Sequence, residues 1–132
     1  MKALDTPVLL ELLRGRPSLS PVLKSLEGEE LATTEVNVFE LEAIARAGPR
    51  HGREHRRSAL DRLRRKLTIL PIDARAVQAA ASLSAGRLPS ATASEWLMLG
   101  AASASGCSEW VTTSSARYPR DLGKLPVRVI GK

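Results

Sequence analysis

Apolar residues occur along this chain in two alternating ways, as short unbroken runs and as longer stretches at helical spacing. Lys2-Ala3-Leu4 is a brief apolar opening, and Asp5-Thr6-Pro7 offers a capping residue followed by a proline at the first helical position. Val8, Leu9, Leu12 and Leu13 then repeat at helical spacing until Gly15 and Pro17. The pattern predicts a strand and then a helix over about Thr6 to Arg14. Val22, Leu23 and Leu26 predict a second short helix over Ser18 to Glu27, and Glu30-Leu31-Ala32-Thr33 a second strand.

Thr34 is placed to cap a helix through Val38, Leu41, Ile44 and Ala45 that stops at Gly48-Pro49. Arg53 to Lys66 carries Ala59, Leu60, Leu63 and Leu67 at helical spacing, and Leu67-Thr68-Ile69-Leu70 reads as a third strand. Asp73 caps a helix from Ala74 to Ala85, with Gly86 at its end; a further helix runs from Ser94 to Ser105 and stops at Gly106. Glu109-Trp110-Val111 and Val127-Arg128-Val129-Ile130 complete the strands. Strands interleaved with helices and never joined by a two-residue hairpin turn imply an α/β fold, a short, mostly parallel five-stranded sheet covered on both faces.

Composition fits that picture. Hydrophobic residues are 43% and charged ones 26% of 132 residues, which is globular composition for a single domain over residues 1–132. The lone Cys107 cannot make an internal bridge, suits a reducing compartment and is expected to be packed. No apolar run approaches the roughly 20 residues a bilayer span needs, and Asp5 comes too early for a secretory leader. A cytoplasmic protein with no membrane partner is expected. The formal charge of +6, from 20 Lys plus Arg against 14 Asp plus Glu, favours an anionic partner, nucleic acid or an acidic protein.

In a parallel sheet the ligand crevice lies at the carboxyl ends of the strands, so the polar residues there are the candidates: Asp5, Thr33 to Glu35, Asp73 and Thr112 to Ser115. Asp5 could bind a hard cation through oxygen or simply cap the helix that follows. Glu40 sits among Val38, Phe39 and Leu41, where a carboxylate is costly unless it is paired or metal-bound. Glu42 can pair with Arg46 four residues on. Thr92-Ala93-Ser94-Glu95 matches a capping box, in which Glu95 would bond backbone.

Arg50, Arg53, Arg56, Arg57, Arg62, Arg64, Arg65 and Lys66 make one segment strongly basic. It could hold an RNA backbone, dock an acidic partner or be a solvated face. His51 and His55 are four apart, but without a third ligand they read as surface residues. Trp96, Trp110 and Phe39 read as core or interface anchors. No Gly-rich loop follows any strand, which argues against a nucleotide-binding domain of another kind.

The motifs in order resemble one known family. Leu4-Asp5-Thr6-Pro7-Val8-Leu9-Leu10-Glu11-Leu12-Leu13 looks like the opening of a PIN domain of the VapC toxin type, with Pro7 where Asn is usual. Thr33-Thr34-Glu35-Val36-Asn37-Val38-Phe39-Glu40-Leu41 is similar to the second motif and places Glu40 at its glutamate. Glu95-Trp96-Leu97-Met98-Leu99-Gly100-Ala101-Ala102 resembles the helix that begins with an aspartate, and Trp110-Val111-Thr112-Thr113-Ser114 the strand that ends before a fourth acidic residue.

The resemblance implies a PIN-like three-layer α/β/α fold. It also implies a divalent-metal-dependent ribonuclease, the toxin of a type II toxin–antitoxin pair, with Mg²⁺ or Mn²⁺ on Asp5, Glu40 and Glu95 and with Thr6, Thr112 and Ser114 in support. RNA would lie along Arg53, Arg56, Arg57 and Arg64; a cognate antitoxin and a homodimer are the implied protein partners. Three departures, Pro7, Glu95 and Ser114, point to the alternative of a catalytically inactive PIN domain that binds RNA or protein. A glutamate for an aspartate adds a methylene where an error of about 1 Å matters.

Overall fold

Ala3 and Leu4 are both fully buried, and as neighbours in a strand they face opposite sides of one sheet. Ala3 joins a core cluster with Ala32, Leu70, Ala76, Met98, Leu99 and Trp110. Leu4 joins another with Val8, Leu9, Leu41, Leu60 and Val111. A strand buried on both faces is what the unbroken apolar runs require.

The computed structural model describes residues 1–14, 24, 26–87, 91–113, 118–119 and 122–130. The strands are β1 (Lys2–Leu4), β2 (Leu31–Thr34), β3 (Thr68–Leu70), β4 (Glu109–Thr112) and β5 (Val127–Val129). The helices are α1 (Thr6–Arg14), α2 (Glu35–Ala47), α3 (Arg53–Arg65), α4 (Ala74–Ser84) and α5 (Ala93–Ala104). The sheet has the order β3-β2-β1-β4-β5, and every pairing in it is parallel. This is the expected α/β architecture, with helices on both faces. Of the helix expected over Ser18 to Glu27 only residues 24, 26 and 27 are described, and Leu26 is buried as expected.

Local chemistry sets the helix ends where the sequence places them. The Thr34 side chain accepts from Asn37 N and Asp73 from Ala76 N. After α5 the amides of Gly106 and Cys107 donate to Ser103 O and Ala102 O at 3.1 and 3.0 Å. This reversed pairing needs a left-handed residue, and Gly106 has φ +73°.

The α4–α5 pair packs closely because Gly100 lies against Ala76 and Ala80, where a Cβ would stand 2.7 Å from the Ala80 amide nitrogen and would meet Ala76 O closer still. Cys107 is buried, as expected. Trp110 is core and Trp96 packs against its edge, but Phe39 is 70% exposed, so the core reading of Phe39 is wrong. Asn37 and Leu41, four apart, carry the buried face of α2, and Phe39 midway between them points the other way. No described helix is long and apolar enough to cross a membrane.

Candidate active site

The direction in which the chain leaves the sheet changes between β1 and β4: β2 and β3 lie on one side of β1, β4 and β5 on the other. In open parallel sheets ligands bind at such a change of direction, which directs attention to the carboxyl ends of β1 and β4. Asp5 and Thr112 occupy those ends, and the Thr112 hydroxyl donates to Asp5 Oδ2 at 2.7 Å.

Asp5 stands at the start of α1, but its side chain bonds the adjacent Thr6 amide rather than capping the turn beyond it. Its carbonyl accepts from Val8 N and Leu9 N, each at 3.1 Å, and so starts α1. Its carboxylate, 1% exposed, gathers donors from four parts of the chain. Oδ1 accepts from Thr6 N at 2.8 Å and from Asn37 Nδ2 at 3.4 Å. Oδ2 accepts from Thr112 and, at 3.0 Å, from the Tyr118 hydroxyl. A buried carboxylate is costly unless hydrogen-bonded, and these donors fix both its place and its rotamer.

The second arm comes from α2. Thr34 and Asn37 form a capping box: Asn37 Oδ1 accepts from Thr34 N at 3.2 Å, and Thr34 Oγ1 accepts from Asn37 N at 3.3 Å. Fixed in this way, Asn37 reaches inward with Nδ2, 3.0 Å from Thr6 Oγ1 and 2.9 Å from Met98 Sδ. One turn later Glu40 Oε1 accepts from the Thr6 hydroxyl at 3.0 Å. Thr6 thus accepts from Asn37 and donates to Glu40, and its own backbone amide bonds Asp5.

Glu95 occupies the third position of α5 and makes the capping box read from sequence: Thr92 N donates to its Oε1 at 2.8 Å, and its own amide donates to Thr92 Oγ1 at 3.2 Å. The side chain is buried, one turn before Met98, which touches Asn37. It therefore lies on the crevice side of α5 with one oxygen committed to the helix end.

Asp5, Thr6, Glu40 and Thr112 are brought together by direct bonds, whereas Glu95 is bonded to Thr92 at the start of α5. Among the described residues no three His, Cys, Asp or Glu side chains form a ready metal cage. Ser114 lies outside the described residues. The donor set still fits Mg²⁺ or Mn²⁺, because such ions keep several waters and are commonly held by one or two carboxylates plus substrate phosphates. Asp5 and Glu40, tied to each other through the backbone amide and the hydroxyl of Thr6, supply that number.

The arginines of α3 separate into different roles. Arg56 donates to the carbonyls of Ala45 at 3.3 Å, His51 at 3.1 Å and Pro49, closing the turn after α2. Arg53 reaches Arg46 O at 3.5 Å. Arg64 pairs with Glu42 at 3.3 Å, and Glu42 also meets Arg46 at 3.9 Å. Arg57 is exposed. His51 and His55 are exposed as well.

Two residues of the crevice escape a reading of the sequence, Asn37 and Tyr118. The spacing Thr34-x-x-Asn37, a polar residue flanked by Val36 and Val38, signals the first. Nothing local signals Tyr118, whose partner is 113 positions away.

A family model described as "PIN domain" matches residues 2–93, a span holding the first two motifs and their carboxylates, Asp5 and Glu40. The chain belongs to the PIN domain family. Solved structures share the fold of this PIN domain at low identity. A chain of VapBC2 from Rickettsia felis, in a crystal structure bound to a DNA fragment from its promoter, is 18% identical with a TM-score of 0.80, over 98% of each chain. FitAcB from Neisseria gonorrhoeae is 21% identical with a TM-score of 0.70, over 97% of this chain and 96% of that one. VapBC-5 from Mycobacterium tuberculosis, a member of the VapBC family of toxin–antitoxin systems, is 18% identical with a TM-score of 0.66, over 98% of each. No curated protein is significantly similar by sequence.

Proposed function

We propose that this PIN domain is a divalent-metal-dependent ribonuclease that cuts RNA phosphodiester bonds, and the cytoplasmic toxin half of a toxin–antitoxin pair. The observation that carries the reading is Asp5, buried at the end of the central strand and linked through Thr6 to Glu40. An isolated buried carboxylate costs several kcal/mol in most settings, and chains keep such groups mainly where they are hydrogen-bonded or serve a site.

Asp5 and Glu40 would hold Mg²⁺ or Mn²⁺, and Glu95 would join on releasing Thr92. When bound, the ion supplies a Lewis acid to the phosphodiester and lowers the pKa of a coordinated water. The chain's own residues set the geometry: Thr112 and Asn37 orient Asp5, and Thr6 orients Glu40. Arg57 and Arg64 on α3 suit contact with an RNA backbone, with an affinity that falls as salt rises. Arg56 is engaged by backbone carbonyls, which makes it a structural residue first. An antitoxin partner is supported by the VapBC structures that share the fold, and a homodimer is part of the same reading.

A second reading, a catalytically silent PIN module for RNA or protein, is favoured by the engagement of Glu95 with Thr92. One experiment separates the two. Purified protein free of antitoxin is incubated with structured and single-stranded RNAs in Mg²⁺ or Mn²⁺, beside EDTA and Asp5→Asn controls. Cleavage lost in both controls is expected. No metal-dependent cleavage, together with no Mn²⁺ binding, overturns the nuclease and leaves the module.

A further inference from the structure

The Asp5 carboxylate has about four acceptor positions, and among the described residues Thr6 N, Asn37 Nδ2, Thr112 Oγ1 and Tyr118 OH donate to it. A cation that takes a position on Oδ2 competes with the donors there, and one on Oδ1 with Thr6 N and Asn37 Nδ2. Thr6 N belongs to the first turn of α1. Thr112 ends β4 opposite Val129 of β5, next to Val111, which stands opposite Leu4 of β1. Asn37 is held by Thr34, Thr6 and Met98. Tyr118 lies outside every helix and strand and reaches Asp5 with a single hydroxyl at the end of a side chain with two rotatable torsions. Of the four, its departure disturbs no backbone ladder.

We propose that Tyr118 is a positioning residue that competes with the divalent cation for Asp5: its phenol holds a position on Oδ2 that the ion needs, and metal binds only as that hydrogen bond is given up. This rests on the proposed metal site. A neutral phenol directs its proton at the carboxylate, so the bond and a cation at the same lone pair exclude one another. The ring meets Trp110 edge to face, with centroids 5.9 Å apart and planes at 66°. A displaced phenol therefore alters the surroundings of a buried indole, which gives the exchange an optical signature.

The test compares wild type with Tyr118→Phe, which keeps the ring and removes only the hydroxyl. Mn²⁺ affinity is measured by calorimetry, Mg²⁺ titration is followed by tryptophan emission, and RNA cleavage is assayed in parallel. Loss of a competing bond to a charged acceptor predicts Mn²⁺ binding about tenfold tighter in Tyr118→Phe, with an Mg²⁺-dependent emission change in wild type that shrinks in the variant. Equal or weaker Mn²⁺ binding by Tyr118→Phe overturns the competition, even where cleavage remains metal-dependent. Tighter Mn²⁺ binding without cleavage in either protein upholds the competition and overturns the nuclease reading. No Mn²⁺ binding by either protein overturns both.

Discussion

Thr6 gives its hydroxyl proton to Glu40 Oε1 at 3.0 Å and takes one from Asn37 Nδ2 at 3.0 Å. Thr6 thereby ties Glu40 to Asn37 through its hydroxyl and to Asp5 through its backbone amide. Thr6→Val keeps the shape and removes this link, leaving the buried Asn37 amide short of an acceptor. We expect a stability loss of about 1–3 kcal/mol in urea denaturation, with a drop in Mn²⁺ affinity.

Asn37 bonds Thr34, Thr6, Met98 and Asp5 from a fully buried position. Asn37→Leu keeps the branched shape but removes every polar atom of the side chain, and leaves several polar groups without this partner at once. The expected loss is roughly 2–4 kcal/mol, since each stranded buried group costs about 1–3 kcal/mol and neighbours are not additive. Chemical denaturation reads it, and a loss below about 1 kcal/mol would show that water replaces the amide.

Gly100→Ala tests the α4–α5 contact. The new Cβ would stand 2.7 Å from the Ala80 amide nitrogen, so the helices must separate. Overpacking of this kind costs about 1–3 kcal/mol, against the gain in helix propensity of about 1 kcal/mol. A net fall in the thermal midpoint is expected; a rise would show that α4 shifts freely.

Alkaline pH weakens the fold. Burial pushes the Cys107 thiol above its usual 9.0, against a smaller opposing pull from the chain's amino terminus. Lys2 is raised above 10.5, first by its hydrogen bond to Glu109. For both groups the folded pKa exceeds the unfolded one, so their stabilisation is complete below the unfolded value and is lost as pH rises through the folded value. The urea midpoint should fall above about pH 9, and Cys107→Ala should flatten the first part of that decline.

What the sequence reveals depends on how far apart the partners are. The capping boxes of Thr34 and Glu95 involve residues three apart, so their spacing is visible in the chain. Asp5 is visible because it ends an apolar run. That Asp5 is both helix start and crevice group needs the fold, since its donors include residues 32, 107 and 113 positions away. Charge counting on α3 treats Arg56 and Arg57 alike, yet one closes a turn through three carbonyls and the other faces solvent. Phe39 shows a different gap: an apolar neighbourhood suggests burial, but the angle around the helix decides it.

The central position of β1 between β2 and β4 has a consequence for synthesis on the ribosome. This strand can pair early with β2, but its other edge and the Thr112 bond to Asp5 must wait for residues 109–112. Parallel pairings this distant are closed late in folding. A partly translated chain therefore carries Asp5 without the partner that orients it, and the cluster is assembled only once β4 has emerged.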